Sequence, residues 1–131
     1  MELPIEVKNK IVKENILWLD NYGKNNIEER HSKGQYFTPS SLIIKMIEKL
    51  DCIDPEEDYL DPAAGNGNIL AALLICGVRP EHIFCNELDP GMLELAKERL
   101  NNLAMELYGE PVPDDHFSCE DATTDAAYFG R

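Results

Sequence analysis

Apolar residues recur at helical spacing in the first fifty positions of the chain. An amphipathic helix is predicted from Ile5 to about Asn21, after Pro4. The polar, glycine-bounded stretch from Gly23 to Gly34 is typical of a surface loop. A second helix follows this loop. Its predicted buried stripe consists of Leu42, Ile43, Met46, Ile47 and Leu50.

Short apolar runs alternate with helices in the rest of the chain. The strand YL precedes the turn DPAAGNGN and a helix from Ile69 to about Cys76. The strand HIFCNEL precedes the longest helix, from Gly91 to about Tyr108, and the strand HFSCE ends at Asp121. This alternation predicts an α/β fold with a parallel sheet and right-handed crossovers. The apolar stripe of the longest helix is predicted to be Leu93, Ala96, Leu100, Leu103 and Leu107.

Composition and charge narrow the range of partners. A chain of 131 residues, 44% hydrophobic and 28% charged, is typical of one compact globular domain. Its 25 acidic and 12 basic residues give a net charge of −13, which repels a phosphate backbone. We therefore expect any DNA contact to come from missing or separate regions. Four scattered cysteines, without a signal peptide or an apolar membrane span, predict a cytoplasmic protein with no membrane partner.

The predicted strands end in polar residues that could bind a ligand, because ligands of open parallel sheets lie outside the carboxyl ends of the strands. The first strand ends at Asp61, before the glycines Gly65 and Gly67. Glu87 ends the second strand, twenty residues beyond Gly67, where a carboxylate can accept hydrogen bonds from a ribose. The pattern favours a cofactor that contains a nucleoside. The same two glycines also fit a sharp turn that binds nothing.

Departures from the dinucleotide fingerprint indicate which nucleoside is bound. Leu70 occupies the place of the third glycine, and the Asp61 carboxylate would repel a pyrophosphate. S-adenosyl-L-methionine carries no phosphate, and its sulfonium and ammonium groups suit an acidic pocket. The residues therefore favour S-adenosyl-L-methionine over NAD.

Three motifs occur together in this chain: GQYFTP, DPAAGNGNIL and CNELDP. In that order and spacing they resemble the amino-terminal motifs of DNA adenine-N6 methyltransferases, over roughly residues 30 to 122. The chain is similar to type I modification subunits and to the methylase parts of fused restriction enzymes. The resemblance implies a Rossmann-like class I methyltransferase fold, truncated after about three parallel strands with flanking helices. Residues 1–35 would form an N-terminal helix and loop, and residues 36–131 a partial S-adenosylmethionine-binding domain.

The resemblance also implies which residues contact the cofactor. The methionine side would be lined by Tyr36, Phe37, Thr38 and Pro39. The amino-acid end would be held by Asp61, Ala63, Gly65 and Gly67. The ribose and adenine would contact Glu87, Leu88, Asp121 and Ala122. Phe37 and Leu88 equally fit core packing, and Asp121 also fits a solvated carboxylate at a strand end.

The catalytic signature of the family is Asn, Asp or Ser followed by Pro-Pro and an aromatic residue, which together hold a flipped adenine. The chain contains no Pro-Pro dipeptide, and we expect it to be inactive alone, with no catalytic residue and no metal. The free edge of the first strand is expected to be covered by the N-terminal helix, a second copy in a homodimer, or a second chain. The alternatives are a stand-alone module that binds S-adenosylmethionine or a methyltransferase partner without catalysis, and a remnant that binds nothing.

Overall fold

The computed structural model describes residues 1–32 and 38–121, with residues 23–32 described by their backbone alone. Within these ranges the helices are α1 (Ile5–Ser32), α2 (Ser40–Glu48), α3 (Asn68–Ile75) and α4 (Pro90–Tyr108). The strands are β1 (Tyr59–Asp61), β2 (Ile83–Asn86) and β3 (Phe117–Ser118). Short 3-10 turns at Pro80–His82 and Asp114–His116 lead into β2 and β3.

The three strands form one parallel sheet in the order β1-β2-β3. Leu60 lies opposite Phe84, and Cys85 lies opposite Phe117. The predicted α/β class, with a parallel sheet and flanking helices, is confirmed. Because all three strands run in the same direction, their carboxyl ends meet at one edge of the sheet.

Helix α1 is longer than its sequence pattern predicts. It continues to Ser32, so the predicted loop from Gly23 to Gly34 is wrong over residues 23–32. Glycine inside a helix costs only about 1 kcal/mol relative to alanine, and an established helix propagates easily. The residues after Gly23 contain no proline and include the helix formers Lys, Glu and Arg, so nothing stops the helix at the glycine.

The buried face of α2 also differs from the prediction. Ile43 and Ile47 are buried as expected, together with Ile44. Three predicted core residues are instead partly exposed: Leu42, Met46 and Leu50. Helix α2 packs against both α1 and α3, which moves its buried face toward Ile44.

Helix α3 lies at the centre of the molecule. It packs against α1, α2 and α4, and it also contacts β1. Five consecutive residues, Leu70–Leu74, are at most 4% exposed. A helix that is apolar on all sides is expected at such a central position. Its buried side chains join those of α1, β2 and α4 in a single core.

Strand β1 lies at one end of the strand order, with β2 as its hydrogen-bonded neighbour among the strands described. An apolar groove of about 270 Å³ lies between β1, α2 and α3. Its walls include the partly exposed Met46 and Leu50. That the N-terminal helix, a second copy or a second chain covers the β1 edge stays a prediction. No helix in the described ranges has the length and apolar character needed to cross a membrane.

Candidate functional site

A tight turn joins the end of β1 to the start of α3. The Asp61 carboxylate accepts the Ala63 N–H at 3.1 Å, and the Ala64 N–H donates to the backbone oxygen of Asn86 at 2.9 Å. These two bonds fasten the turn to its own strand and to β2. The predicted glycine motif is thus placed at the carboxyl edge of the sheet.

Gly67 gives the turn the geometry that lets α3 begin. Its φ of +80° lies in the left-handed region, where side chains with a Cβ are strained. A Cβ built at Gly67 would lie 3.4 Å from Leu100 and 3.5 Å from Ala96, which is ordinary contact. The backbone angle therefore requires glycine more strongly than the available space does. Asn66 assists the start of α3, because its side-chain oxygen accepts the Asn68 N–H at 3.2 Å.

Glu87 connects the glycine turn to the turn after β2. One carboxylate oxygen accepts the Gly65 N–H at 2.8 Å, and the other accepts the Asp89 N–H at 2.8 Å. A carboxylate has about four acceptor positions, so these two bonds leave capacity for further donors. The side chain is half-buried, and it lies where two turns converge.

Asp61 and Glu87 form an acidic pair at this edge. Burial raises the pKa of the Asp61 carboxyl above its ordinary value, and the negative charge of Glu87 raises it further. The hydrogen bond from Ala63 opposes this rise only in part. The site therefore contains a desolvated carboxylate that a positively charged group would stabilise.

Asn86 holds the ends of all three strands together. Its side-chain nitrogen donates to the backbone oxygens of Pro62 at 2.8 Å and Glu120 at 2.9 Å. Its side-chain oxygen accepts from the Ser118 hydroxyl at 2.6 Å and from the Glu120 N–H at 3.0 Å. The side chain is completely buried, and its four hydrogen bonds use its full capacity. Asn86 thus fixes the spacing between the turns that carry Asp61 and Glu87 and the end of β3.

The segment before α2 reaches the same region. The side-chain nitrogen of Asn68 donates to the backbone oxygen of Thr38 at 2.8 Å, so Thr38 lies beside the glycine turn. Pro39 is exposed and stands at the N-cap of α2. Three predicted contact residues lie outside the described ranges: Tyr36, Phe37 and Ala122.

Leu88 follows the end of β2, and Asp121 follows the end of β3. Leu88 is 61% exposed, so the core-packing alternative for this residue is wrong. The Cys119 thiol lies 3.3 Å from the backbone oxygen of Leu88, which brings the end of β3 close to it. Asp121 is exposed and directly follows Glu120, which Asn86 holds. The structure therefore gathers Thr38, the glycine turn, Glu87 and Leu88 around one edge of the sheet.

Three polar residues outside the predicted cofactor contacts support this region: Asn68, Asn86 and Arg99. Asn86 ends a strand whose other inward positions are apolar, and Arg99 lies in α4 between the buried residues Ala96 and Leu103. A polar residue in an otherwise buried stripe was the available signal. Pattern analysis usually assigns such residues to the solvent face, so their role becomes visible only from their contacts.

In the described ranges, no group of three or more His, Cys, Asp or Glu side chains is arranged to hold a metal ion. Cys85 is completely buried in β2, and its pKa is raised to about 12, mainly by desolvation and also by the charges of Asp61 and Glu87. A thiol with this pKa stays protonated at neutral pH and is a poor nucleophile. Cys85 is therefore a packing residue of the hydrophobic core.

The fold and the site define an α/β protein whose polar groups converge on a glycine turn and two carboxylates at the carboxyl edge of a parallel sheet. A family described as N-6 DNA methylase matches residues 18–101, which is more than half of the chain. The chain belongs to the N-6 DNA methylase family, and its resemblance to DNA adenine-N6 methyltransferases is confirmed. No solved structure is significantly similar to it.

Proposed function

We propose that this chain is the S-adenosyl-L-methionine-binding portion of a DNA adenine-N6 methyltransferase of a restriction-modification system. The observation that carries the proposal is the bond between the Glu87 carboxylate and the Gly65 amide, at 2.8 Å, with Asp61 beside them. This bond joins the glycine turn after β1 to the acidic end of β2. A nucleoside that lies across these two strand ends would meet both groups.

The chemistry of the site suits this cofactor. The raised pKa of Asp61 reflects a desolvated carboxylate next to a second one, and a sulfonium or ammonium group would relieve that repulsion. A pyrophosphate at the same turn would add negative charge to it. Glu87 retains acceptor capacity for two ribose hydroxyls. When bound, S-adenosyl-L-methionine supplies an electrophilic methyl group.

The protein residues would bind and orient this cofactor. Asp61 and the backbone of the glycine turn would hold its amino-acid end, and Glu87 would accept from its ribose. Leu88 offers an exposed apolar side chain for the adenine ring, next to the end of β3. The groups that bind the target adenine would lie outside these residues, because the sequence contains no Pro-Pro dipeptide.

Calorimetric titration with S-adenosyl-L-methionine tests the proposal, with wild-type protein beside the Glu87→Gln variant. We expect the wild-type chain to bind and the variant to bind at least tenfold more weakly, because hydrogen bonds to a charged group contribute about 1.5–3 kcal/mol. In the variant, the glutamine NH₂ group would also face one of the two backbone N–H groups that donate to Glu87, so one of these hydrogen bonds is lost.

The matched control is Glu110→Gln, which removes the same charge from an exposed ion pair with Arg79. This variant should bind the cofactor as the wild-type chain does. NAD serves as the ligand control and should not bind. Lack of cofactor binding by the wild-type chain, equal binding of NAD, or an unchanged affinity in Glu87→Gln would each contradict the proposal.

A further inference from the structure

Arg99 is a charged residue in the interior, with only 4% of its surface exposed. Each of the five N–H groups of its guanidinium can be matched to an acceptor. The acceptors are both carboxylate oxygens of Glu14, the side-chain oxygens of Asn15 and Asn68, and the backbone oxygen of Asn66. A buried guanidinium with all its donors matched has one favoured orientation.

The charge of Arg99 is balanced from α1. Both carboxylate oxygens of Glu14 accept hydrogen bonds from the guanidinium in a bidentate pair. The centroid of the Trp18 ring lies 4.8 Å from the guanidinium carbon. A buried cation is tolerated only when it is paired and hydrogen-bonded. Helix α1 therefore does more than cover the core, because it supplies the counter-charge that allows Arg99 to lie inside.

The other end of the guanidinium holds the glycine turn. One nitrogen, Nη1, donates to the backbone oxygen of Asn66 at 3.3 Å and to the side-chain oxygen of Asn68 at 2.5 Å. These two residues flank Gly67. Because the Asn68 oxygen is fixed by Arg99, its nitrogen must point the other way, and it donates to the backbone oxygen of Thr38 at 2.8 Å. One side chain thus sets the orientation of two segments.

We propose that Arg99 is a positioning residue for the methyl-donor site: through Asn66 and Asn68 it holds the glycine turn and the Thr38 segment in one arrangement, with Glu14 of α1 as its counter-charge. The inference rests on the proposed function, because the two segments it holds are those that would contact the methionine part of the cofactor. Arg99 itself lies behind the turn and acts through Asn66 and Asn68.

The test compares three variants with the wild-type chain. The double variant Glu14→Gln/Arg99→Met removes the guanidinium without leaving a buried carboxylate unpaired. Arg99→Lys keeps the charge but offers three donors in place of five. Leu103→Ala, on the same helix, removes buried apolar contacts and leaves the guanidinium network intact, so it controls for a general loss of stability.

The first measurement is amide hydrogen exchange by NMR in the ligand-free protein. We expect Gly67 and Asn68 to exchange roughly tenfold faster in the double variant, because their turn loses hydrogen bonds to a charged group. Arg99→Lys should show a smaller increase. The Gly109 amide, which donates to Met105 at the far end of α4, should exchange at the wild-type rate. Leu103→Ala should lower the unfolding temperature without selective acceleration at Gly67 and Asn68.

The second measurement is affinity for S-adenosyl-L-methionine at a temperature where every variant is folded. We expect roughly tenfold weaker binding in the double variant, a loss typical for removal of a residue that orients ligand-binding groups. Leu103→Ala should bind the cofactor nearly as tightly as the wild-type chain. Unchanged exchange at Gly67 and Asn68 in the double variant, or equal acceleration in Leu103→Ala, would overturn the inference. If the wild-type chain does not bind the cofactor, the proposed function fails, while the exchange rates still decide whether Arg99 holds the turn.

Discussion

At the residue scale, burial disfavours the charged form of Asp61 in the candidate site. The pKa of its carboxyl is raised by desolvation and by Glu87, so the folded protein holds a proton at this position more tightly than the unfolded chain does. The stabilising effect of protonation is present at low pH and is lost as the pH rises from the ordinary value of an aspartate through the folded value. At neutral pH the ionised side chain therefore opposes folding.

We predict that Asp61→Asn raises the free energy of unfolding at pH 7 and weakens binding of S-adenosyl-L-methionine roughly tenfold. Asparagine keeps an oxygen that can accept the Ala63 N–H, so the turn is retained while the negative charge is lost. Urea denaturation over a pH series measures the first effect, and the gain in stability should shrink as the pH falls through the raised pKa of Asp61 toward the ordinary aspartate value. A variant that is less stable than the wild-type chain at pH 7 would contradict this reasoning.

At the element scale, two glycines with similar backbone angles allow the effect of backbone strain on stability to be compared with its effect on ligand binding. Gly67 precedes α3 with φ +80°, and Gly109 follows α4 with φ +74°. Neither position lacks room for a Cβ. Gly67 belongs to the turn beside Glu87, whereas Gly109 lies at the opposite end of the longest helix.

We predict that Gly67→Ala and Gly109→Ala lower the free energy of unfolding by similar amounts, about 1–2 kcal/mol, because each places a Cβ in the left-handed region. Only Gly67→Ala should also weaken cofactor binding, since relief of the strain rotates the turn that carries the Gly65 amide. Chemical denaturation and calorimetry on both variants check the two statements. Equal loss of affinity in both variants would show that the effect is not local to the glycine turn.

Most of the elements could be predicted from the sequence, because the alternation of short apolar runs and helical stripes is strong from Tyr59 onward. The predicted starts of α3 and α4 lie one residue from the observed ones. Two features near the N-terminus could not be predicted. Gly23 looks like a helix end but is tolerated within α1, and the buried face of α2 is set by the two helices that pack on it.

The candidate site was only partly predictable, for a physical reason. The glycine turn and Glu87 follow from spacing, and the structure joins them directly. The hydrogen bonds that hold them depend on Asn86 and Arg99, whose partners are distant in the sequence. Periodicity reports which face of an element is apolar, but it does not report which polar group is buried with its partners satisfied.

At the scale of the whole molecule, the net charge of −13 disfavours contact with the phosphates of DNA, whereas it does not oppose binding of a positively charged cofactor. We predict that the chain alone shows no saturable binding to a fluorescent DNA duplex at physiological salt, because it has too few basic groups to release counterions from the phosphates. Fluorescence anisotropy at low and physiological salt measures this, with a basic DNA-binding domain as the positive control. Saturable binding with a steep salt dependence would show instead that the chain carries a basic surface of its own.

The burial of Asn86 limits which side chains can replace it in this fold. Aspartate lacks its two donors, glutamine is one methylene longer, and serine is too short to span the distance between the outer strands. Leu88, two positions away, is mostly exposed and can be replaced at little cost to folding. We therefore expect replacement of Asn86 to disturb the spacing of the three strand ends, whereas replacement of Leu88 leaves that spacing unchanged.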